Sequence, residues 1–216
     1  MAKKTVIFDL DGTLLNTISD LGEACNYALR KLDKAEHPIS AYNYMVGNGV
    51  RNLMAKADPE ATPEEMEQLL KHFREYYNEH CHDHTVPYPG IPEVLKELHS
   101  HGIALAVATN KYQEAADKII RYFFPDIPFV AIEGQIDGRN IKPDPSVLFS
   151  ILSAHPTPKR EVLMVGDSAV DIEMARRACV ESLGVTWGFR PVSELRKALA
   201  GHVISSPGQI LKYVFE

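Results

Sequence analysis

The sequence has few cysteines, no basic excess and no long apolar run, and each absence excludes a class of protein. The cysteines are odd in number and far apart, at Cys25, Cys81 and Cys179, so we expect reduced thiols in a cytoplasmic protein and no disulfide framework. Lysine and arginine total 23 against 29 acidic residues, and this net charge of −6 argues against nucleic-acid binding. No apolar run approaches the roughly 18 residues of a membrane span, and the start of the chain turns acidic too soon for a signal peptide.

The 216 residues have the composition of a folded globular chain, 45% hydrophobic and 24% charged. Short runs rich in β-branched residues predict buried parallel strands, and helical patterns lie between most of them. This alternation predicts an α/β fold with a doubly wound parallel sheet. The predicted strands are Thr5–Phe8, Ile103–Ala108, Phe129–Ile132, Val162–Val165, Ser182–Thr186 and His202–Ile204, and the helices between them include Ile91–Ser100, Gln113–Phe123 and Ser168–Ala178.

The stretch between the first strand and about residue 85 predicts no strand. Apolar residues recur there at helical spacing, from Leu21 to Leu32 and from Met66 to Tyr77, and Val50–Ala57 favours a third short helix. We therefore predict a small α-helical cap domain inserted into a core domain. The expected boundaries are core at residues 1–15, cap at 16–85 and core again at 86–216.

The first predicted strand runs directly into Asp9-Leu10-Asp11-Gly12-Thr13. Residues two apart in an extended chain face the same way, so both carboxylates point to one side of the strand end. Two carboxylates this close repel each other unless a divalent cation or a shared proton lies between them. Asp-x-Asp alone is equally typical of a polar turn, but the attached Gly-Thr makes a chance match rare.

Three further polar groups follow other elements of the predicted sheet. Thr109-Asn110 follows one strand, where a hydroxyl and the N–H groups of a following helix can hold an anion, although the pair alone is also typical of a helix cap. Lys142 lies in a loop stiffened by prolines, and this local sequence alone indicates an exposed lysine beside a turn. Asp167 ends another strand, and Asp171 follows one helical turn later; by themselves they are equally typical of an acidic helix start.

Together these groups indicate a particular chemistry more strongly than any one of them does alone. The carboxyl ends of parallel strands meet at one edge of the sheet, where ligands bind. That edge would combine oxygen ligands for a hard cation, an anion-holding hydroxyl and one lysine. This set is suited to Mg²⁺-assisted phosphoryl transfer.

In these four motifs the sequence resembles the haloacid dehalogenase superfamily of phosphotransferases. The motifs stand in order as Asp9-Leu10-Asp11-Gly12-Thr13, Thr109-Asn110, Lys142-Pro143 and Gly166-Asp167-Ser168-Ala169-Val170-Asp171, and the helical insert matches the cap of that family. Val46-Gly47-Asn48-Gly49 and the segment Gly184–Arg190 resemble the phosphoglycolate phosphatase branch in particular.

The resemblance implies a role for each motif residue. Asp9 would be the nucleophile that forms an aspartyl-phosphate, and Asp11 would be the general acid and then the base that activates water. Mg²⁺ would be held by Asp9, the backbone carbonyl of Asp11 and Asp167. Thr109 and Lys142 would hold the phosphoryl oxygens, with Asn110 a weaker candidate, and Asp171 would orient Lys142 or metal-bound water.

Two further segments lie in or beside the predicted cap. Gly47, Asn48 and Arg51 stand at a helix start, where they could grip a substrate carboxylate, although a surface turn with a solvated arginine fits equally well. The His80-Cys81-His82-Asp83-His84 run invites a zinc interpretation, but no second ligand cluster has the spacing of a tetrahedral site.

The leading hypothesis is a cytoplasmic, Mg²⁺-dependent phosphatase of small phosphorylated metabolites, with 2-phosphoglycolate as the best single substrate. A phosphomutase of the β-phosphoglucomutase kind shares these motifs and stays open, as does a pyrophosphatase. A non-enzymatic phospho-ligand sensor is disfavoured because no motif residue is missing. No nucleic-acid or membrane partner is expected, and the chain could act as a monomer or a homodimer.

Overall fold

The computed structural model describes residues 2–216 as strands and helices that alternate over most of the chain. The strands are β1 (Thr5–Phe8), β2 (Leu15–Asn16), β3 (Val86–Pro87), β4 (Ala104–Tyr112), β5 (Phe129–Gln135), β6 (Val162–Gly166), β7 (Glu181–Val185) and β8 (His202–Ile204). The helices are α1 (Ile18–Lys31), α2 (Gly49–Ala57), α3 (Pro63–His80), α4 (Ile91–Ser100), α5 (Gln113–Phe123), α6 (Ser146–Ala154), α7 (Ala169–Ala178), α8 (Val192–Lys197) and α9 (Gln209–Phe215).

Six strands form one parallel sheet in the order β5-β4-β1-β6-β7-β8. All four residues of the central strand β1 are fully buried, which explains why no charged residue occurs in it and why Thr5 is followed by three apolar residues. Apolar residues cover both faces of the sheet: Phe8 and Leu105 belong to one core cluster, and Ile7 and Met164 to the other. The predicted α/β class with a parallel sheet is confirmed.

Helices α1, α2 and α3 have a separate apolar cluster, to which Leu29, Met54, Leu69 and Phe73 each contribute a side chain at most 1% exposed. Helix α3 begins with a capping box, in which the Glu65 N–H donates to Thr62 Oγ1 at 3.2 Å and the Thr62 N–H donates to Glu65 Oε2 at 2.8 Å. The chain passes from the sheet to these three helices and back through β2 and β3, which pair antiparallel. The domain boundaries at residues 15/16 and 85/86 stay a prediction.

Asp20 holds the segment where the chain returns from the helical insert to the sheet. Its buried carboxylate accepts hydrogen bonds from the His84 N–H at 2.9 Å, the Thr85 N–H at 2.9 Å and the Thr85 hydroxyl at 2.6 Å. These bonds join the start of α1 to residues 64 and 65 positions later in the chain, so both ends of the helical insert are held together.

The structure differs from the sequence prediction in several elements. Strand β4 continues to Tyr112, four residues beyond its predicted end, so Thr109 and Asn110 lie in the strand and not after it. The predicted range of α5, Gln113–Phe123, is confirmed, and the contribution of its N–H groups beside Thr109 stays a prediction. The sequence prediction lacks β2 and β3, which have two residues each, and α8 and α9, whose six and seven residues are too few for a clear helical repeat. All three cysteines are free thiols. Within residues 2–216, no helix is long and apolar enough to cross a membrane.

Candidate active site

The two predicted carboxylates lie directly after β1, at the carboxyl edge of the sheet. The Asp9 N–H donates to the Val165 carbonyl at 2.9 Å, which continues the pairing of β1 with β6 by one residue. Gly12 then turns the chain with a φ of +89°, a conformation that side-chain-bearing residues rarely adopt. A Cβ at Gly12 would also collide with the Asp167 carboxylate, so this glycine allows the first and last motifs to meet.

Lys142 joins two of the carboxylates although it is far from both in sequence. Its Nζ lies 2.7 Å from Asp9 Oδ1 and 2.7 Å from Asp171 Oδ1, and it also donates to the Ala108 carbonyl at 2.9 Å. The lysine side chain is only 1% exposed, so it is not the solvated residue that its local sequence alone would predict. Burial opposes its charge, but Asp171 and Asp9 outweigh burial and raise the pKa of Lys142 above its ordinary value.

Asp167 and Asp171 are both buried, and their partners differ. Asp171 caps its own helix, accepting from the Ser168 hydroxyl at 2.6 Å and the Ser168 N–H at 3.1 Å, while its other oxygen accepts from Lys142. Asp167 accepts from the Phe189 N–H at 2.7 Å. A Cβ at the neighbouring Gly188 would clash with the Asp167 side chain and with the Gly12 carbonyl. Asp171 is thus held on both oxygens by Ser168 and Lys142, whereas the second oxygen of Asp167 has only the Thr13 hydroxyl as a partner, at the long distance of 3.5 Å.

The charge balance of this cluster fits a divalent cation. Asp9, Asp167 and Asp171 each bring a carboxylate oxygen within 4.8 Å of the others, and all three residues are buried. Lys142 supplies the one cationic side chain that contacts them in residues 2–216, so two negative charges are left. Burial, and then the charge of Asp171, raises the pKa of Asp9 to about 7, and burial followed by the charge of Asp9 raises the pKa of Asp167. A bound divalent cation removes this repulsion, and oxygen ligands are those that Mg²⁺ prefers.

Asp11 has a different environment. It accepts a hydrogen bond from the Thr17 hydroxyl at 2.8 Å, and Lys111 Nζ lies 2.9 Å from its Oδ1 and 3.1 Å from its Oδ2. The Lys111 side chain is 2% exposed. Lys111 is not among the site residues predicted from the sequence; the available signal was its place two residues after Thr109, beside a predicted site residue at the end of a strand.

Thr109 and Asn110 are both buried and line the same cavity as Asp9 and Asp11. The Asn110 amide nitrogen donates to the Gly47 carbonyl at 2.9 Å and to the Lys142 carbonyl at 3.1 Å, and its oxygen accepts from the Lys142 N–H at 2.8 Å. Both amide hydrogens of Asn110 are therefore used. The structure favours a role for Asn110 in positioning Lys142 and docking the Gly47 loop, rather than the predicted contact with a phosphoryl group.

The cavity at this edge encloses about 490 Å³, including its open mouth, and lies between the sheet and the helical insert. Gly47 lines it, together with apolar residues of α1, α2 and α3. Asn48 and Arg51 are not part of its lining, and the exposed Arg51 side chain pairs with Glu67 at 2.6 Å instead. The structure thus brings the six core motif residues Asp9, Asp11, Thr109, Lys142, Asp167 and Asp171 together, but does not bring Arg51 to them.

The histidine-rich segment does not converge on one point. His80 pairs with Asp83 at 2.7 Å, and the His82 ring packs edge-on against Tyr122 with ring centres 4.4 Å apart. A group formed by His84 with Asp20 and Glu23 has ligand atoms within 4.8 Å of one another, but the Asp20 carboxylate already accepts three hydrogen bonds. The contacts of this segment are structural, and they lie where the chain returns from the helical insert to the sheet.

This chain is similar to known proteins in sequence and in fold. A family model described as haloacid dehalogenase-like hydrolase matches residues 6–185. A phosphoglycolate phosphatase of Vibrio cholerae is 33% identical over 98% of this chain and 96% of its own length, and that of Aquifex aeolicus is 31% identical over 97% and 95%. The crystal structure of a protein described as a predicted phosphoglycolate phosphatase from Haemophilus somnus superposes with a TM-score of 0.90, at 28% identity over 98% of this chain and 97% of its own.

Proposed function

The chain belongs to the haloacid dehalogenase-like hydrolase family, as its motifs predicted, and we propose that it is a Mg²⁺-dependent phosphatase whose substrate is 2-phosphoglycolate. The observation that carries the proposal is the bridge that Lys142 makes between Asp9 and Asp171, at the edge of a cavity that Asp9, Asp11 and Thr109 also line. The names of the relatives support the substrate, and the small cavity supports a small metabolite.

Asp9 is the nucleophile of the first half-reaction. One of its carboxylate oxygens attacks the phosphorus atom, a new bond forms between that oxygen and phosphorus, and the bond from phosphorus to the ester oxygen breaks. Asp11 gives a proton to the departing ester oxygen, which leaves as an alcohol. Lys142 holds Asp9 in place at 2.7 Å and offsets its charge as the anionic phosphoryl group approaches.

Water releases phosphate in the second half-reaction. Asp11, now ionised, takes a proton from a water molecule whose oxygen attacks the phosphorus atom. The bond between phosphorus and Asp9 breaks and regenerates the carboxylate. Thr109, buried beside Asp9 in the same cavity, donates its hydroxyl to a phosphoryl oxygen in both steps.

Asp9, Asp167 and the backbone carbonyl of Asp11 would hold the metal ion, and Asp171 acts indirectly by orienting Lys142. When bound, Mg²⁺ would offset the negative charge that the carboxylates and the phosphoryl group bring together. The free thiols fit a cytoplasmic location for the enzyme. Its substrate is a small phosphorylated metabolite, and it acts as a monomer or a homodimer.

The test is an activity screen with 2-phosphoglycolate, sugar phosphates, nucleotides and pyrophosphate, each with and without EDTA. We expect phosphate release from 2-phosphoglycolate with the highest kcat/KM, and loss of that activity in EDTA. Asp9→Asn should abolish turnover while the far-UV circular dichroism stays unchanged. Turnover that is insensitive to EDTA, or full activity of Asp9→Asn, would contradict the proposal.

A further inference from the structure

Two buried polar groups line the cavity but take no part in the mechanism described above. Lys111 is buried beside Asp11, and Tyr77 on α3 is fully buried. Within residues 2–216, the Tyr77 hydroxyl has no hydrogen-bond partner. A buried hydroxyl without a partner is unfavourable, so its persistence in a cavity wall points to a ligand that supplies the missing acceptor.

The lysine and the tyrosine are neighbours. Lys111 Nζ lies 4.7 Å from the centre of the Tyr77 ring, and the ring stacks on Phe73 with centres 5.3 Å apart. Five apolar side chains also line the cavity: Leu21, Val46, Val50, Leu53 and Phe73. An ammonium group in such a wall interacts strongly with a second charge, because little water screens it.

The spacing along β4 sets the length of a ligand that could reach both ends of the cavity. Thr109 and Lys111 are two residues apart and both line the cavity. The strand is irregular between Ala108 and Tyr112, and the Lys111 N–H donates to Thr109 Oγ1 at 3.2 Å, so the two backbones lie no further apart than the about 6.6 Å of a fully extended pair. If the phosphoryl group lies against Thr109, a group bound by Lys111 can be only a few bonds away from phosphorus.

From these observations we infer that Lys111 and the Tyr77 hydroxyl form a subsite for the carboxylate of a short phosphorylated acid. The inference rests on the proposed function, and it names the residues that select the substrate. An ammonium and a hydroxyl offer two donors, which match the two oxygens of a carboxylate. Arg51, for which the sequence left a carboxylate-binding role and a surface position equally open, pairs with Glu67 on the surface.

The experiment compares two substrates of equal length, 2-phosphoglycolate and ethyl phosphate, which lacks the carboxylate. Lys111→Met keeps an unbranched side chain that matches the apolar stem of lysine and removes the ammonium group. We expect kcat/KM for 2-phosphoglycolate to fall about ten- to a hundredfold further than kcat/KM for ethyl phosphate, the range for a hydrogen bond to a charged group. A lysine that serves only to pair with Asp11 would lower both values by the same factor, and that result would overturn the inference.

Matched variants separate the subsite from general effects of charge and packing. Lys118→Met removes a lysine outside the cavity lining, whose Nζ donates to the Asn78 carbonyl, and should leave the ratio of the two kcat/KM values unchanged. Tyr77→Phe removes only the hydroxyl and should lower the same ratio by a smaller factor, about threefold to tenfold. A ratio that falls equally in Lys118→Met, or that stays at the wild-type value in Tyr77→Phe, would contradict the assignment.

A binding measurement keeps this inference distinct from the proposed function. Asp9→Asn protein is titrated calorimetrically with both compounds in Mg²⁺, with and without Lys111→Met. If the wild type hydrolyses no monoester, the proposed function fails, but tighter binding of 2-phosphoglycolate that depends on Lys111 still supports the subsite. Equal or absent binding of the two compounds would overturn it.

A crystal structure covers the case in which Lys111→Met does not fold. In Asp9→Asn protein with bound 2-phosphoglycolate, a carboxylate oxygen should lie within about 3.2 Å of Lys111 Nζ. A carboxylate bound elsewhere, with Lys111 contacting Asp11 alone, would overturn the inference.

Discussion

Replacement of Asn110 by alanine distinguishes a positioning residue from a phosphate ligand. The Asn110 side chain makes three hydrogen bonds to backbone groups: to the Gly47 carbonyl at 2.9 Å, to the Lys142 carbonyl at 3.1 Å and from the Lys142 N–H at 2.8 Å. All three are lost in Asn110→Ala. The variant therefore removes the side-chain contacts that hold the backbone of Lys142 and the loop at Gly47 in place.

The loss in the free energy of unfolding depends on which backbone groups are left without a hydrogen-bond partner. The carbonyl and N–H of Lys142 are buried, and a buried group left without a partner costs about 1–3 kcal/mol. The Gly47 carbonyl lies on a half-buried residue and can bind water instead. We therefore expect the free energy of unfolding to fall by about 2–6 kcal/mol. A small displacement of Lys142 should also lower kcat about a hundredfold.

Urea denaturation and steady-state kinetics measure the two effects separately. The control is Asn140→Ala, the same change at an exposed asparagine near the start of α6, which makes one long side-chain contact to Asp144 at 3.3 Å. We expect the control to change neither stability nor kcat. If Asn110→Ala kept the wild-type stability and raised only the inhibition constant of inorganic phosphate, Asn110 would be a direct phosphate ligand, and the positioning argument would be refuted.

Three further predictions test the hydrogen bonds of Asp20, the close contact between Gly188 and Asp167, and the metal site. Asp20→Ala should lower the free energy of unfolding by about 2–5 kcal/mol in urea denaturation, because the Thr85 N–H and hydroxyl lose their acceptor; an unchanged midpoint would contradict this. Gly188→Ala should displace Asp167 and raise the Mg²⁺ concentration needed for half-maximal activity at least tenfold, whereas Gly208→Ala, which has open space at its Cβ position, should not. Mg²⁺ at a hundred times its Kd should raise Tm by about 5–10 °C in a thermal melt, and an equal rise in Asp167→Asn would argue against binding at this site.

The sheet and its main helices could be predicted from the sequence because their residues report their own environment. The run at Thr5–Phe8 is apolar because the strand is buried on both faces, and the repeat from Met66 to Tyr77 is helical because one face of α3 packs on α1. The strand order then brings Asp9 and Asp167 to one edge, since β1 and β6 are neighbours in register.

The rest depends on contacts that local patterns do not encode. Lys111 is a common residue type in an ordinary position, and only the fold brings Asp11 to it across 100 residues. Strand β2 has two residues, too few for any periodicity, and it exists because β3 pairs with it. Asn110 looked like a helix cap or a phosphate ligand, but its partners are the backbones of two loops 63 and 32 residues away.

The central claim is that Asp9 attacks phosphorus beside a magnesium ion held by oxygen ligands from distant parts of the chain. A crystal structure with Mg²⁺ and beryllium trifluoride, a mimic of the phosphoryl group, tests it most directly. We expect beryllium bonded to an Asp9 carboxylate oxygen, Mg²⁺ in contact with Asp9, Asp167 and the Asp11 carbonyl, and fluorine atoms near Thr109 and Lys142. A trifluoride bound away from Asp9, or a metal that contacts neither Asp9 nor Asp167, would contradict the account.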